Sequence, residues 1–204
     1  MVDDSDRRAD EPTDIPLDVT HITNDLTRKI RLQMLLEDRK RANAVRAKIS
    51  QELLTVLLLM KENIRDMRKR RPDLLPDLRG GGVIYDSLYA APYDRICDIR
   101  NEMLQRFTRV YNDLDVLVDS DKDNDELALA ALQPISDDLL EVLHIMIDGM
   151  ANIREYRSDL GADLMKKGEV YEHLYNKIFA KISVIRDGLP ILMNAVFARR
   201  IFRR

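Results

Sequence analysis

HITNDLTRKIRLQMLLEDRKRANAVRAKISQELLTVLLLMKENIRDMRKRR, residues 21–71, runs without a proline or a glycine. Those two residues most disfavour a helix interior, so nothing in the stretch forces a break. As one helix it would reach roughly 75 Å at 1.5 Å per residue. That length fits a rod, a coiled coil or a scaffold. Thr20 or Thr23 can cap its start, with Asp25 in the first turn. Apolar residues recur at Leu26, Ile30 and Met34, then at Ala42, Val45, Ile49, Leu53, Val56, Met60, Ile64 and Met67. Steps of three and four make one helical stripe. From Leu53 to Met60 almost every position is apolar, so this part is expected to be surrounded by other helices. The N-terminal half is charged and is expected to project from the body. Pro72 ends the helix.

Outward from this helix, apolar residues keep helical spacing in three further segments. The first spans 92–118, with Ile96, Ile99, Met103, Phe107, Val110, Leu114 and Leu117. The second spans 125–167, with Leu132, Ile135, Leu139, Leu143, Met146, Met150, Ile153 and Leu160. The third spans 169–187 and is closed by Gly188 and Pro190, leaving 191–204 as a separate short helix. Residues 72–91 read as an ordered loop, with Gly80-Gly81-Gly82 as a hinge. No fixed-period internal repeat is evident. The expected fold is all-α: an elongated antiparallel bundle of four long helices plus a short C-terminal helix. Residues 19–204 form its single domain.

Composition agrees with this class. Charged residues make up 34% of the 204, aromatics only 5%, and there is no Trp. Residues 1–18 hold seven acids against Arg7 and Arg8 and are expected to be a disordered tail. They lack the apolar core of a signal peptide. The longest apolar run, around Leu53 to Met60, falls far short of the ~20 residues that span a bilayer. The expected location is cytoplasmic, at most peripheral to a membrane. A lone cysteine, Cys97, forms no internal disulfide and reads as a small buried residue.

The net charge of −3 conceals a division. Residues 21–71 carry +8, from fourteen cations and six carboxylates, whereas 72–195 carry −10, from thirteen and twenty-three. The last nine residues carry four arginines. A basic rod can bind phosphates, anionic lipid or the acidic body of another copy. Its candidate contacts are Arg28, Lys29, Arg31, Arg39, Lys40, Arg41, Arg46, Lys48, Arg68, Lys69, Arg70 and Arg71. No base-reading motif or aromatic platform lies among them, so nucleic-acid contact would be directed at the backbone. Phe197, Arg199, Arg200, Ile201, Phe202, Arg203 and Arg204 mix apolar and cationic character, which suits an anionic membrane surface or a partner groove.

Catalytic and metal signals are sparse. Asp119-x-Asp121-x-Asp123-Asn124-Asp125 opens like an EF-hand loop, but position 12 is Ala130 and position 6 is Asn124. Glu141-x-x-His144 is half of a di-iron pair, without the second half. His144 is instead expected to be partly buried beside a carboxylate. No P-loop, nucleophile elbow or zinc-protease pattern occurs. No cofactor, metal or catalytic set is therefore expected.

Tyr85-Asp86-Ser87 and Tyr111-Asn112-Asp113-Leu114 make residues 53–119 resemble a segment of small bacterial and archaeal helical proteins of unknown function. Those proteins often carry a membrane anchor ahead of the segment, where this chain has a charged helix. The resemblance implies that the 72–91 loop folds onto the bundle, with Tyr85 and Tyr89 packing. It implies no activity. The reading that unites these observations is a non-enzymatic scaffold or adaptor that forms homo-oligomers, because the stripe of the first helix outruns its partners. Nucleic-acid binding through the basic helix and the arginine-rich C-terminus, and membrane docking through 191–204, are the alternatives.

Overall fold

The computed structural model describes residues 19–112, 117–118 and 124–197. Four helices dominate: α1 (Val19–Arg70), α2 (Ala91–Tyr111), α3 (Asn124–Tyr156) and α4 (Lys177–Phe197). No strand occurs among the described residues. The expected acidic tail, most of the 119–126 link and residues 198–204 lie outside the described residues.

Several boundaries differ from those expected from the sequence. The irregular stretch after α1 ends at Gly82. Val83–Tyr85 is already helical, and a wide π-helical turn, Asp86–Ala90, joins it to α2. Helix α2 runs to Tyr111; of the remainder expected to 118, Leu117 and Val118 are helical and 113–116 lie outside the described residues. The long third segment stops at Tyr156, and Leu160 and Leu164, which extend its apolar spacing, belong to a loop that buries them. The last helix is not broken into 169–187 and 191–204. It continues through Gly188 and Pro190 to Phe197. Proline removes one helical hydrogen bond, but buried Ile185 and Leu189 anchor the turns around it.

The helices form an up-down-up-down bundle in which α1 lies beside α2 and α4, and α3 beside the same two. Thus α1 and α3 occupy opposite corners. The core runs from Leu35 on α1 to the loops at the far end, through Leu53, Val56, Met60, Ile96, Ile99, Leu139, Met146, Ile178 and Ile182. A second cluster, Ile64, Met67, Leu74, Leu78, Ile84, Leu88, Ile153, Leu164 and Leu174, fills that loop end. Burying each such side chain contributes about 1.5–3 kcal/mol before chain entropy is counted.

The chain is an internal duplication, contrary to the expectation of no repeat. RPDLLPDLRGGGVIYDSLY (71–89) and RSDLGADLMKKGEVYEHLY (157–175) share Arg, Asp, Leu, Asp, Leu, Gly, Tyr, Leu and Tyr at matched places, 86 residues apart. The backbones match as well. Tyr85 N–H donates to Asp77 C=O at 2.8 Å, and Tyr171 N–H to Asp163 C=O at 3.0 Å. Gly81 and Lys167 take φ of +82° and +79°. A Cβ on Gly82 or Gly168 would strike the backbone of Asp77 or Asp163, so glycine is required at both. The offset extends into the core, pairing Leu53 with Leu139, Met60 with Met146 and Ile96 with Ile182, all buried. The molecule is therefore two hairpins, α1–α2 and α3–α4, related by an approximate two-fold axis. Both members of each matched helix pair run in the same direction, so the axis runs along the bundle.

Candidate interaction surfaces

The loop end shows why the duplicated motif needs its residue types. Arg71 donates to Asp73 beside it and, at 2.8 Å, to Asp163 of the other hairpin. Arg157 repeats the pattern with Asp159 and, across the axis, Asp77. The Arg71 and Arg157 guanidiniums hold Asp73 and Asp159 below the usual carboxylate range. Arg68 Nε donates to Leu78 C=O at 2.7 Å, and Arg154, its match, to Leu164 C=O at 3.2 Å. Aromatic ladders line both hairpins. Tyr85, Tyr89 and Tyr93 stand 4.9 and 5.2 Å apart, and Tyr171, Tyr175 and Phe179 stand 5.4 and 5.1 Å apart. This pole is an architectural clasp, its polar groups spent on each other.

Ion pairs repeat along the sides too. Arg95 on α2 meets Asp138 and Glu141 on α3 at 2.5 and 2.7 Å, and the matched Lys181 on α4 meets Glu52 on α1 at 2.9 Å. Arg106 adds a further contact to Asp138.

The surfaces are where the hairpins part. Ile147, Tyr156, Met165, Val184 and Ile191 are exposed apolar residues of the second hairpin. Their matches in the first are Lys61, Arg70, Arg79, Asp98 and Gln105. The reverse also occurs, since exposed Leu58 matches His144. Lys61 lies over the Tyr93 ring at 5.3 Å, a cation–π contact its match Ile147 cannot make.

Within α3 as described, the N-terminal part of α1 has no counterpart. Matching α3 to α1 by the 86-residue offset sets Asn124 against Asp38, so α1 extends nineteen residues past that point, from Val19 to Glu37. Leu26 is 57% exposed, Ile30 52% and Met34 38%. These follow one another at four-residue spacing and form a continuous stripe. Leu35, one residue on, points the opposite way into the core.

The cations of the basic helix divide by position. Lys29, Arg39, Lys40, Lys48, Lys69 and Arg70 are exposed, and so is Arg28. Arg31, Arg41 and Arg46 are half-buried, with Arg41 beside Glu37 and Asp38. Arg68 lies over the Tyr85 ring and caps Leu78, and Arg71 belongs to the clasp. Arg70 reaches His173 at 3.2 Å and Glu169 at 3.6 Å. Of the C-terminal candidates, the side chains of Phe197, Arg199, Arg200, Ile201, Phe202, Arg203 and Arg204 lie outside the described residues.

Burial, with Asp94 nearby, pushes the Cys97 thiol up and away from thiolate. His144 is exposed, correcting the expectation of a partly buried residue, and Glu141 is engaged by Arg95. Burial, and then the charge of Asp38, pushes the Tyr111 phenol up to about 12. Among the described residues no group of three or more His, Cys, Asp or Glu could hold a metal ion. No described helix is long and apolar enough to cross a membrane.

Comparison with protein families, with curated proteins and with solved structures yields no match for this chain.

Proposed function

We propose that this protein is a non-enzymatic helical scaffold that self-associates, with α1 reaching beyond the bundle as its contact arm. The observation that carries the reading is the exposed stripe Leu26, Ile30 and Met34 on that extension. A helix whose apolar stripe continues past its own core leaves surface that a partner can bury. Bringing those three side chains out of water gains about 25 cal/mol per Å² buried. Light scattering coupled to size exclusion tests it. The wild type should exceed the 23.7 kDa of one chain as concentration rises, and Ile30→Glu should shift the balance toward monomer. A monomer at every concentration would overturn the reading.

Backbone-directed nucleic-acid contact is a second reading, favoured by the exposure of Lys29, Arg39, Lys40 and Lys48 along the same helix. It would appear as a mobility shift of duplex or single-stranded DNA that fades as salt rises. Absence of a shift at low salt would remove it.

A further inference from the structure

The internal two-fold axis runs along the bundle, so it exchanges two long faces on opposite sides. One is built by α2 and α3, joined through Arg95, Asp138 and Glu141. The other is built by α4 and α1, joined through Lys181 and Glu52. The two share one backbone shape but differ in chemistry. Exposed on the α2/α3 face are Asp94, Asp98, Glu102, Asp137, Glu141 and Asp148. The offset of 86 places Ala180, Val184, Gly188, Gln51, Thr55 and Glu62 at the same points of the α4/α1 face. Five of six carboxylates are gone. In two places the sign reverses: Glu126 and Glu155 on α3 become Lys40 and Lys69 on α1. Lys48 adds another exposed cation, and Leu58, Val184 and Ile191 add apolar surface at 53, 67 and 70% exposure.

We infer that the acidic α2/α3 face of one copy docks on the apolar, cation-rimmed α4/α1 face of another. This rests on the self-association reading above and specifies its surface: Ile30 and Lys48 lie about five turns apart on one side of α1, so the stripe of the arm continues the α4/α1 face. Charge selects the pairing. Two α2/α3 faces repel each other, as do two faces edged by Lys40, Lys48 and Lys69, whereas the unlike faces attract. Loss of charge from the middle of one face is the composition of an interface core with a polar rim. Because the complementary faces lie on opposite sides of one chain, the contact is head-to-tail. Each added copy presents a fresh face, so assembly is open-ended unless its geometry closes a ring.

Two variants test this through mixing. Asp98→Lys with Asp148→Lys spoils the acidic face; Lys48→Glu with Val184→Glu spoils the other. All four positions are exposed, and circular dichroism and a thermal melt would confirm folding. Each variant alone should remain monomeric, its association weakened at least about tenfold. An equimolar mixture should associate, because one intact pair of faces remains and the two reversed faces are themselves opposite in charge. A mixture that stays monomeric, or a single variant that assembles like the wild type, would overturn the inference. In either case a wild type that self-associates keeps the scaffold reading alive with an interface elsewhere; a monomeric wild type ends both. Should a variant fail to fold, Asp98→Asn with Asp148→Asn and Lys48→Gln with Val184→Thr replace the pairs. Association unchanged in both milder variants would likewise overturn it.

Discussion

The two hairpins of this chain keep the same interior and the same loop end but present different outsides. Leu53 and Leu139 are both fully buried, Arg71 and Arg157 both clasp an Asp of the opposite hairpin, and Gly82 and Gly168 both sit against a carbonyl. On the surface, Asp98 stands opposite Val184 and Lys61 opposite Ile147. The shared positions are those where packing or backbone approach admits few alternatives. The divergent positions touch solvent, where folding tolerates change. Differences that cluster on whole faces are therefore free of the packing constraint that keeps the interiors alike.

The largest effects are expected in the core. Leu53→Ala and Leu139→Ala should each destabilise by about 2–5 kcal/mol and by similar amounts, measured by urea denaturation. A large cost for one and a small cost for the other would show that the hairpins do not share one core. The clasp offers a gentler probe. Arg71→Ala and Arg157→Ala should each cost about 1 kcal/mol, since these pairs are partly exposed and screened. Raising salt should shrink both losses together.

A smaller effect sharpens the contrast between the loops. Lys167 holds a positive φ where the first hairpin has Gly81. Lys167→Gly should be neutral to stabilising by up to about 1 kcal/mol, and Gly81→Lys destabilising by a similar amount, read as opposite shifts in melting temperature. The smallest effect concerns His173, which matches Ser87. Burial, then Arg70 and Lys177, hold its imidazole below the ordinary value of 6.5. The unfolded chain thus binds that proton more readily, so the associated stability is present above about pH 6.5 and declines as pH falls below it. His173→Gln should flatten this part of the pH dependence, and an unchanged profile would refute the assignment.

The helical class was legible because apolar residues at three- and four-residue steps need only local sequence to be recognised. The same rule misled at Leu160 and Leu164, whose spacing carries the stripe of α3 into a loop that is buried for its own reasons. Pro190 read as a stop because its packing, through Leu189, depends on the other three helices. The duplication was visible in principle as R-x-D-L-x-x-D-L at 71 and 157. Generic helical stripes between the copies hide it, and only the crossed Arg–Asp pairs give the match a physical reason. The outrunning stripe of α1 was legible; the burial of Arg68 and Arg71 was not. Arg71 meets Asp163, 92 residues away, and no local pattern signals that.

Whether the chain assembles through its unlike faces is best read from sedimentation velocity of the wild type, over a wide concentration range at about 50 mM and about 500 mM salt. Face-to-face docking by unlike charge predicts a mass above 23.7 kDa that grows with concentration at low salt and shrinks at high salt. A single species of one chain mass under every condition would contradict it.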